Sequence, residues 1–202
     1  MPARSEARER LLATASGLFY GEGIRAVGVD RLVSEAQVTR ATFYRHFPSK
    51  EDLVVAYLRA ADEQVRAQVR TATESASTAA DALRAVAASI ADDLSRSEFR
   101  GCAFLRAAAE FPDPADPVHR EVVAHRACFV GALRDLFAEV YRGEGPGARP
   151  ERAARHFLML RDGAMSAASI DASGDTDDTF RRGVEGLITV VHAPGARPQL
   201  PT

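Results

Sequence analysis

Within the stretch TRATFYRHFPSK, residues 39–50, stand two threonine hydroxyls, two arginines, a tyrosine, a histidine and the only lysine of the chain. These groups donate hydrogen bonds or carry positive charge, and the chemistry they suit is contact with the phosphates and base edges of a nucleic acid. On a helical wheel Phe43 and Phe47 point inward, which puts Ala41, Thr42 and Arg45 on the exposed side with Tyr44 and His46 at its flanks. Small Ala41 and the methyl of Thr42 permit close approach to base edges or to a thymine methyl. Arg40 and Arg45 have the length to reach guanine edges or phosphates. Thr39, Tyr44, His46 and Lys50 can each donate to phosphate oxygens, and Lys50 also stands at a helix N-terminus, where backbone amides favour anions.

Other reactive side chains are sparser. His125 and Cys128 lie three apart on one expected helix and can share a metal, but no second pair at ligand spacing accompanies them, so no metal is expected. Cys102 and Cys128 are too few for a disulfide framework. They are either buried small hydrophobes or, with an exposed low-pKa thiol, an oxidation-sensitive pair. His119, His156 and His192 have no evident partners. The chain has no nucleophile elbow, phosphate-binding glycine loop or spaced carboxylate set with a role to assign, so neither an enzyme nor a cofactor is expected.

The elements that must hold these residues are helices. Apolar residues recur at three- and four-residue intervals and no segment sustains a two-residue alternation. Leu11, Leu12, Ala15, Leu18 and Phe19 predict a first helix over roughly residues 4–21, stopped by Gly21 and Gly23. A second, short helix follows Gly28 and buries Val29, Leu32, Val33 and Ala36. Gln37 and Val38 make a tight connection to Thr39, whose hydroxyl can cap a third helix that Pro48 ends. Ser49, with Asp52 three residues on, caps a fourth helix from Lys50 that carries Leu53, Tyr57, Leu58, Ala61 and Val65. Breaks at residues 75–77, 100–101, 112–117, 143–150 and 173–176 leave five further segments, about nine helices in all. A short helix, a tight turn and a threonine-capped second helix have the dimensions of a helix-turn-helix.

The run GIRAVGVDRLVSEAQVTRATFYRHFPSKEDL, residues 23–53, resembles the DNA-binding signature of the TetR family. The likeness rests on the Thr39–Phe47 recognition helix with its Tyr44, the Phe47-Pro48-Ser49-Lys50 junction and the acidic-leucine start of the fourth helix. It implies an all-α protein: a three-helix DNA-binding head over residues 1–50, a helical ligand-binding and dimerisation body over 51–192, and a loose tail over 193–202. It also implies repression of a palindromic operator by a homodimer, relieved by a small-molecule effector of unknown identity. Two positions depart from the family pattern. Gly28 stands where a Thr or Ser caps the second helix and touches phosphate, and Gln37 stands where a glycine permits the turn, so it must accept a positive φ or reshape the connection.

The body is less specific. Tyr57, Phe104, Phe129, Met159 and Met165 can wall an effector pocket, because aromatics and methionines line such sites, but they serve equally as core. Toward the end of the chain, Gly163, Ala164, Ala167 and Ala168 offer a small-residue surface on one helix. Phe180, Val184, Leu187, Ile188 and Val191 form an apolar stripe on the next. The resemblance implies that these faces build a four-helix dimer interface; the alternative is burial within one chain.

Charge supports the division. Residues 1–50 carry eight Arg/Lys against five Asp/Glu, net +3, while the whole chain is at −2, so the remainder stands at −5. The basic end is the part that phosphates attract. With 46% apolar and 27% charged residues the composition is that of a globular protein. No membrane-length apolar run and no apolar secretion-signal core is present, which points to a cytoplasmic protein without membrane contact.

Overall fold

The computed structural model describes residues 5–143, 149–171 and 174–189. Among these residues there are nine helices and no strand: α1 (Glu6–Glu22), α2 (Val29–Glu35), α3 (Arg40–His46), α4 (Lys50–Ser75), α5 (Ala79–Leu94), α6 (Ala103–Glu110), α7 (Pro117–Val140), α8 (Pro150–Ile170) and α9 (Thr176–Thr189). None of them is long and apolar enough to cross a membrane. The expected tail over 193–202 lies outside the described residues.

The helices form two compact units. The first comprises α1 to α3, α4 as far as Arg66, α6, and α7 as far as Ala127. Its core gathers the expected stripes: Leu11, Ala15 and Phe19 of α1, Leu32 of α2, Phe43 of α3 and Leu53, Tyr57 and Leu58 of α4 are all buried. Phe19 and Tyr57 meet edge-on at 5.7 Å between ring centroids, a favoured aromatic geometry. By packing, this unit therefore extends past residue 50, because the apolar face of early α4 is spent on it.

The second unit comprises α4 from Ala67, α5, α7 from Cys128, α8 and α9. Leu83, Ile90, Leu133, Phe137, Phe157, Phe180, Val184 and Ile188 are buried in it. Phe157 stands edge-on to Phe180 at 5.7 Å and lies 6.2 Å from Phe129. Gly183 of α9 lies against Leu160 of α8, where an added Cβ would come within 3.1 Å of the Leu160 side chain.

Candidate nucleic-acid interface

The interface is built on the connection between α2 and α3. Gln37 takes the positive φ its position demands, 52°. Its N–H donates to the Ser34 carbonyl at 3.1 Å, and the N–H of Val38 donates to the Val33 carbonyl at 3.0 Å. This pair of bonds is a Schellman motif that satisfies the last carbonyls of α2 and turns the chain sharply into α3. The turn is therefore kept despite the missing glycine, with the left-handed residue strained rather than the connection reshaped. Gly28 caps α2 through its extended backbone, without a side-chain hydrogen bond.

Helix α3 begins as expected. The Thr39 hydroxyl accepts from the Thr42 N–H at 3.1 Å. Phe43 is fully buried and Phe47 is 3% exposed, so these rings fix how α3 rotates about its axis. Thr39, Arg40, Ala41, Tyr44 and Arg45 are exposed, and Thr42, His46 and Lys50 are half-buried. The Tyr44 ring leans edge-on against Phe43 at 5.2 Å. The Ser5 hydroxyl lies 3.2 Å from His46 Nε2, bringing the start of α1 to the end of α3.

Past Pro48 a capping box starts α4: the Ser49 N–H donates to the Asp52 carboxylate at 2.9 Å, and the Asp52 N–H donates to the Ser49 hydroxyl at 3.1 Å. This junction sets Lys50, whose ammonium lies 6.0 Å from the centre of the Phe19 ring. Burial pushes the Lys50 amine below its ordinary pKa, opposed by Glu51 and Glu110.

Three acidic side chains of the helix-turn-helix region are paired with arginines. Arg31 binds Glu35 at 3.0 Å and Glu22 at 3.3 Å. Arg40 donates from both Nε and Nη2 to one oxygen of Asp30, and that hydrogen bond raises the Arg40 guanidinium further above its ordinary pKa. Arg8 lies over the Phe47 ring at 5.1 Å and Arg25 over Phe111 at 5.5 Å. Glu22, Glu35 and Asp30 are thus each matched by an arginine.

Two contributors escape the sequence patterns. Asp30, the partner of Arg40, is one of several acids in the head with nothing in its spacing to single it out. Glu110, at the end of α6, accepts from the N–H groups of Ile24 at 3.0 Å and Arg25 at 2.6 Å. It thereby holds the turn that leaves α1 at Gly23, where φ is 97°. Arg106 of α6 donates to the Tyr20 carbonyl, and the Tyr20 hydroxyl accepts from the Arg100 N–H at 2.9 Å. A contact between residues 85 positions apart leaves no local sequence signal.

The residues expected to wall an effector pocket are distributed over both units. In the first, Tyr57 and Phe104 are buried. Burial pushes the Tyr57 hydroxyl up to about 12, with Arg106 opposing, and Phe104 stacks on His125 at 3.5 Å. His125, weighed above with Cys128 as a metal pair, instead engages Asp62 at 2.7 Å. Among the described residues no three metal-ligating side chains converge. Cys102 is buried and Cys128 half-buried, and no disulfide joins them. In the second unit Phe129 and Met165 are buried, but Met159 is 69% exposed and so cannot wall an enclosed site within one chain. A groove of about 540 Å3 in this unit is lined by the start of α5 and the ends of α7 and α9, including Thr78, Arg84, Glu139 and Ile188. Arg84 there is committed to Glu185, at 2.8 Å through two nitrogens.

The apolar stripe expected to face a second subunit is largely packed within the single chain. Phe180, Val184 and Ile188 are 1–4% exposed within the single chain, with Phe180 packed on Phe157 of α8. These three side chains are covered from within the same chain. Ala164 is buried, Ala167, Ala168 and Leu187 are half-buried and Gly163 is exposed, while Val191 lies outside the described residues. The outward apolar side chains of α8 are Met159 and Ile170, the latter 81% exposed.

Comparisons with known proteins agree with this geometry. The family described as bacterial regulatory proteins, tetR family, matches residues 11–57, the span from α1 into α4. A solved TetR-family transcriptional regulator of Streptomyces coelicolor, SCO4454, is 52% identical, with a TM-score of 0.87 over 94% of this chain and 98% of that one. The transcriptional regulator YjdC of Escherichia coli K12 is 21% identical over 90% of this chain and 93% of its own length. The transcriptional activator FasR of Mycolicibacterium smegmatis is 36% identical, over 35% of this chain and 34% of its own length.

Proposed function

Because this chain belongs to the TetR family of bacterial transcriptional regulators, we propose that it is a repressor that binds a palindromic operator as a homodimer and leaves it when a small molecule binds. The observation that carries this reading is the presentation of α3. Two buried phenylalanines anchor one side of it, while a capped, mostly polar side with Ala41 at its centre faces outward, the shape and chemistry of a major-groove reader. Residues 1–50 hold the DNA-contacting set Thr39, Arg40, Ala41, Thr42, Tyr44, Arg45, His46 and Lys50. Residues 51–192 hold the effector site and the subunit contact.

The subunit contact is best assigned to the outward face of α8. Met159, Gly163, Ser166 and Ile170 follow one another at intervals of four, three and four residues, and all are exposed, so they form one continuous stripe along the helix. A small residue between two large apolar ones suits the close, self-complementary contact of a two-fold dimer. A two-fold dimer carries one head for each half-site of a palindrome, and half-sites one DNA turn apart are ~34 Å from each other. A dimer seated on a promoter blocks transcription by occupancy alone, and an effector that prefers the unbound conformation reverses it by linkage.

The test is fluorescence anisotropy of the protein with the intergenic DNA beside its own gene, over a salt series and against nonspecific competitor. Binding that survives competitor and weakens steeply with salt is the expected result. Weak binding abolished by competitor would count against sequence-specific recognition of that DNA.

A further inference from the structure

The two arginines of α3 look interchangeable in sequence, but they occupy different sides of the helix. At about 100° per residue, Arg45 lies ~160° from buried Phe43, at the crest of the outer face, whereas Arg40 lies only ~60° from it, on the flank that meets α2. Their hydrogen bonds differ accordingly. Arg40 spends Nε and Nη2 on a single oxygen of Asp30. Among the described residues, Arg45 donates through Nη2 alone, to the Thr42 hydroxyl at 2.9 Å. Thr42 in turn lies 3.0 Å from the capping hydroxyl of Thr39. The cap of the helix, one hydroxyl and the guanidinium thus form a chain along the outer face that orients Arg45 while leaving most of its donors unspent.

We propose that Arg45 is the base-reading arginine, recognising a guanine in each half-site through its O6 and N7, and that Arg40 is a positioning residue that reads no base. Arg40 ties α2 to the start of α3 and cancels the carboxylate of Asp30, which would otherwise face the phosphates. Thr42 and Thr39 hold the Arg45 guanidinium in the plane that two parallel hydrogen bonds to guanine require. This assignment rests on the DNA-reading function proposed above and divides the labour within it.

Selection of binding sites from a randomised DNA pool, using the full-length protein and its variants, tests it. Wild type is expected to enrich a palindromic sequence with one strongly preferred guanine per half-site. Arg45→Ala should erase that preference, costing roughly 5- to 150-fold in discrimination at that position, with the other positions intact. Arg45→Gln should change the preferred base there from guanine to adenine, a switch that misfolding cannot produce. Arg40→Ala should weaken binding to all sequences without altering the preferred one, and adding Asp30→Asn to it should restore affinity by removing the bare carboxylate. An unchanged preference in both Arg45 variants, a base preference altered by Arg40→Ala, or no recovery on adding Asp30→Asn would each overturn the division of roles. Failure of the wild type to enrich any sequence would instead sink DNA reading itself.

Discussion

Helices α3 and α9 show the same kind of pattern along the chain: aromatic and aliphatic residues at three- and four-residue intervals, with polar residues between them. In both, the apolar side is buried within the chain, through Phe43 and Phe47 in one and Phe180, Val184 and Ile188 in the other. The consequences are opposite. For α3 the inward side is the support and the outward side carries the chemistry. For α9 the inward side is the feature expected to meet a second subunit, and α8 covers it instead, with Phe157 against Phe180. An apolar stripe tells which face of a helix leaves water, because the hydrophobic effect has no direction and names no partner. The chemistry of the opposite face decides what the helix does.

The largest effects should come from removing the two anchors. Phe43→Ala and Phe180→Ala should each cost about 3–5 kcal/mol in urea unfolding. The first should also abolish DNA binding, since α3 loses the ring that fixes its rotation. For Phe180→Ala the loss should be that of a core within one chain, with the concentration dependence in sedimentation the same as that of the wild type. Dissociation of Phe180→Ala into folded monomers would break the comparison by returning that ring to the interface.

A smaller loss is expected at Glu110, the long-range support of the head. Glu110→Ala strips the carboxylate from two adjacent backbone N–H groups, of which that of Ile24 is partly buried, and should cost about 1–3 kcal/mol. Equal stability of variant and wild type in urea would mean that the turn after α1 holds itself.

The turn and cap of α3 should show effects near 1 kcal/mol and of opposite sign. Thr39→Ala removes the hydroxyl that accepts from Thr42 and should destabilise by about 1 kcal/mol. Gln37→Gly relieves a left-handed residue at φ 52° and should stabilise by about 1 kcal/mol, the relief exceeding glycine's entropic cost. A lower melting temperature for Gln37→Gly would show that the Gln37 side chain, and not its backbone, matters at the turn.

The smallest effect concerns acid. Burial alone raises the Asp62 carboxyl, but hydrogen bonds from His125 and Arg66 outweigh it and hold it below the ordinary value of 3.8. A carboxyl whose folded pKa is depressed contributes stability above its unfolded pKa and loses it as pH falls through the folded one. Asp62→Asn should therefore flatten the stability profile below about pH 4, and superimposable acid unfolding curves would remove Asp62 from the account.

Much of the head is legible in its residues alone. The Thr39 cap, the Ser49–Asp52 capping box and the inward phenylalanines are local events, decided by residues within one or two turns of each other, and local steric and hydrogen-bonding rules suffice for them; at Gln37 those rules left a positive φ and a reshaped turn both open. The nine helices follow for the same reason, since breakers and periodicity act over short spans. The bond from Glu110 to Ile24 and Arg25, the stacking of Phe104 on His125 and the pairing of Arg40 with Asp30 are not legible in that way. Each joins groups on different elements, and many other charged or aromatic residues along the chain have the same composition and spacing. The sequence by itself determined which faces are apolar and where each helix starts and stops. Only the tertiary structure decided which partner covers each face, turning the α9 stripe inward and leaving Met159 and Ile170 outside, because burial depends on which surfaces come together in space and not on the order of residues that supply them.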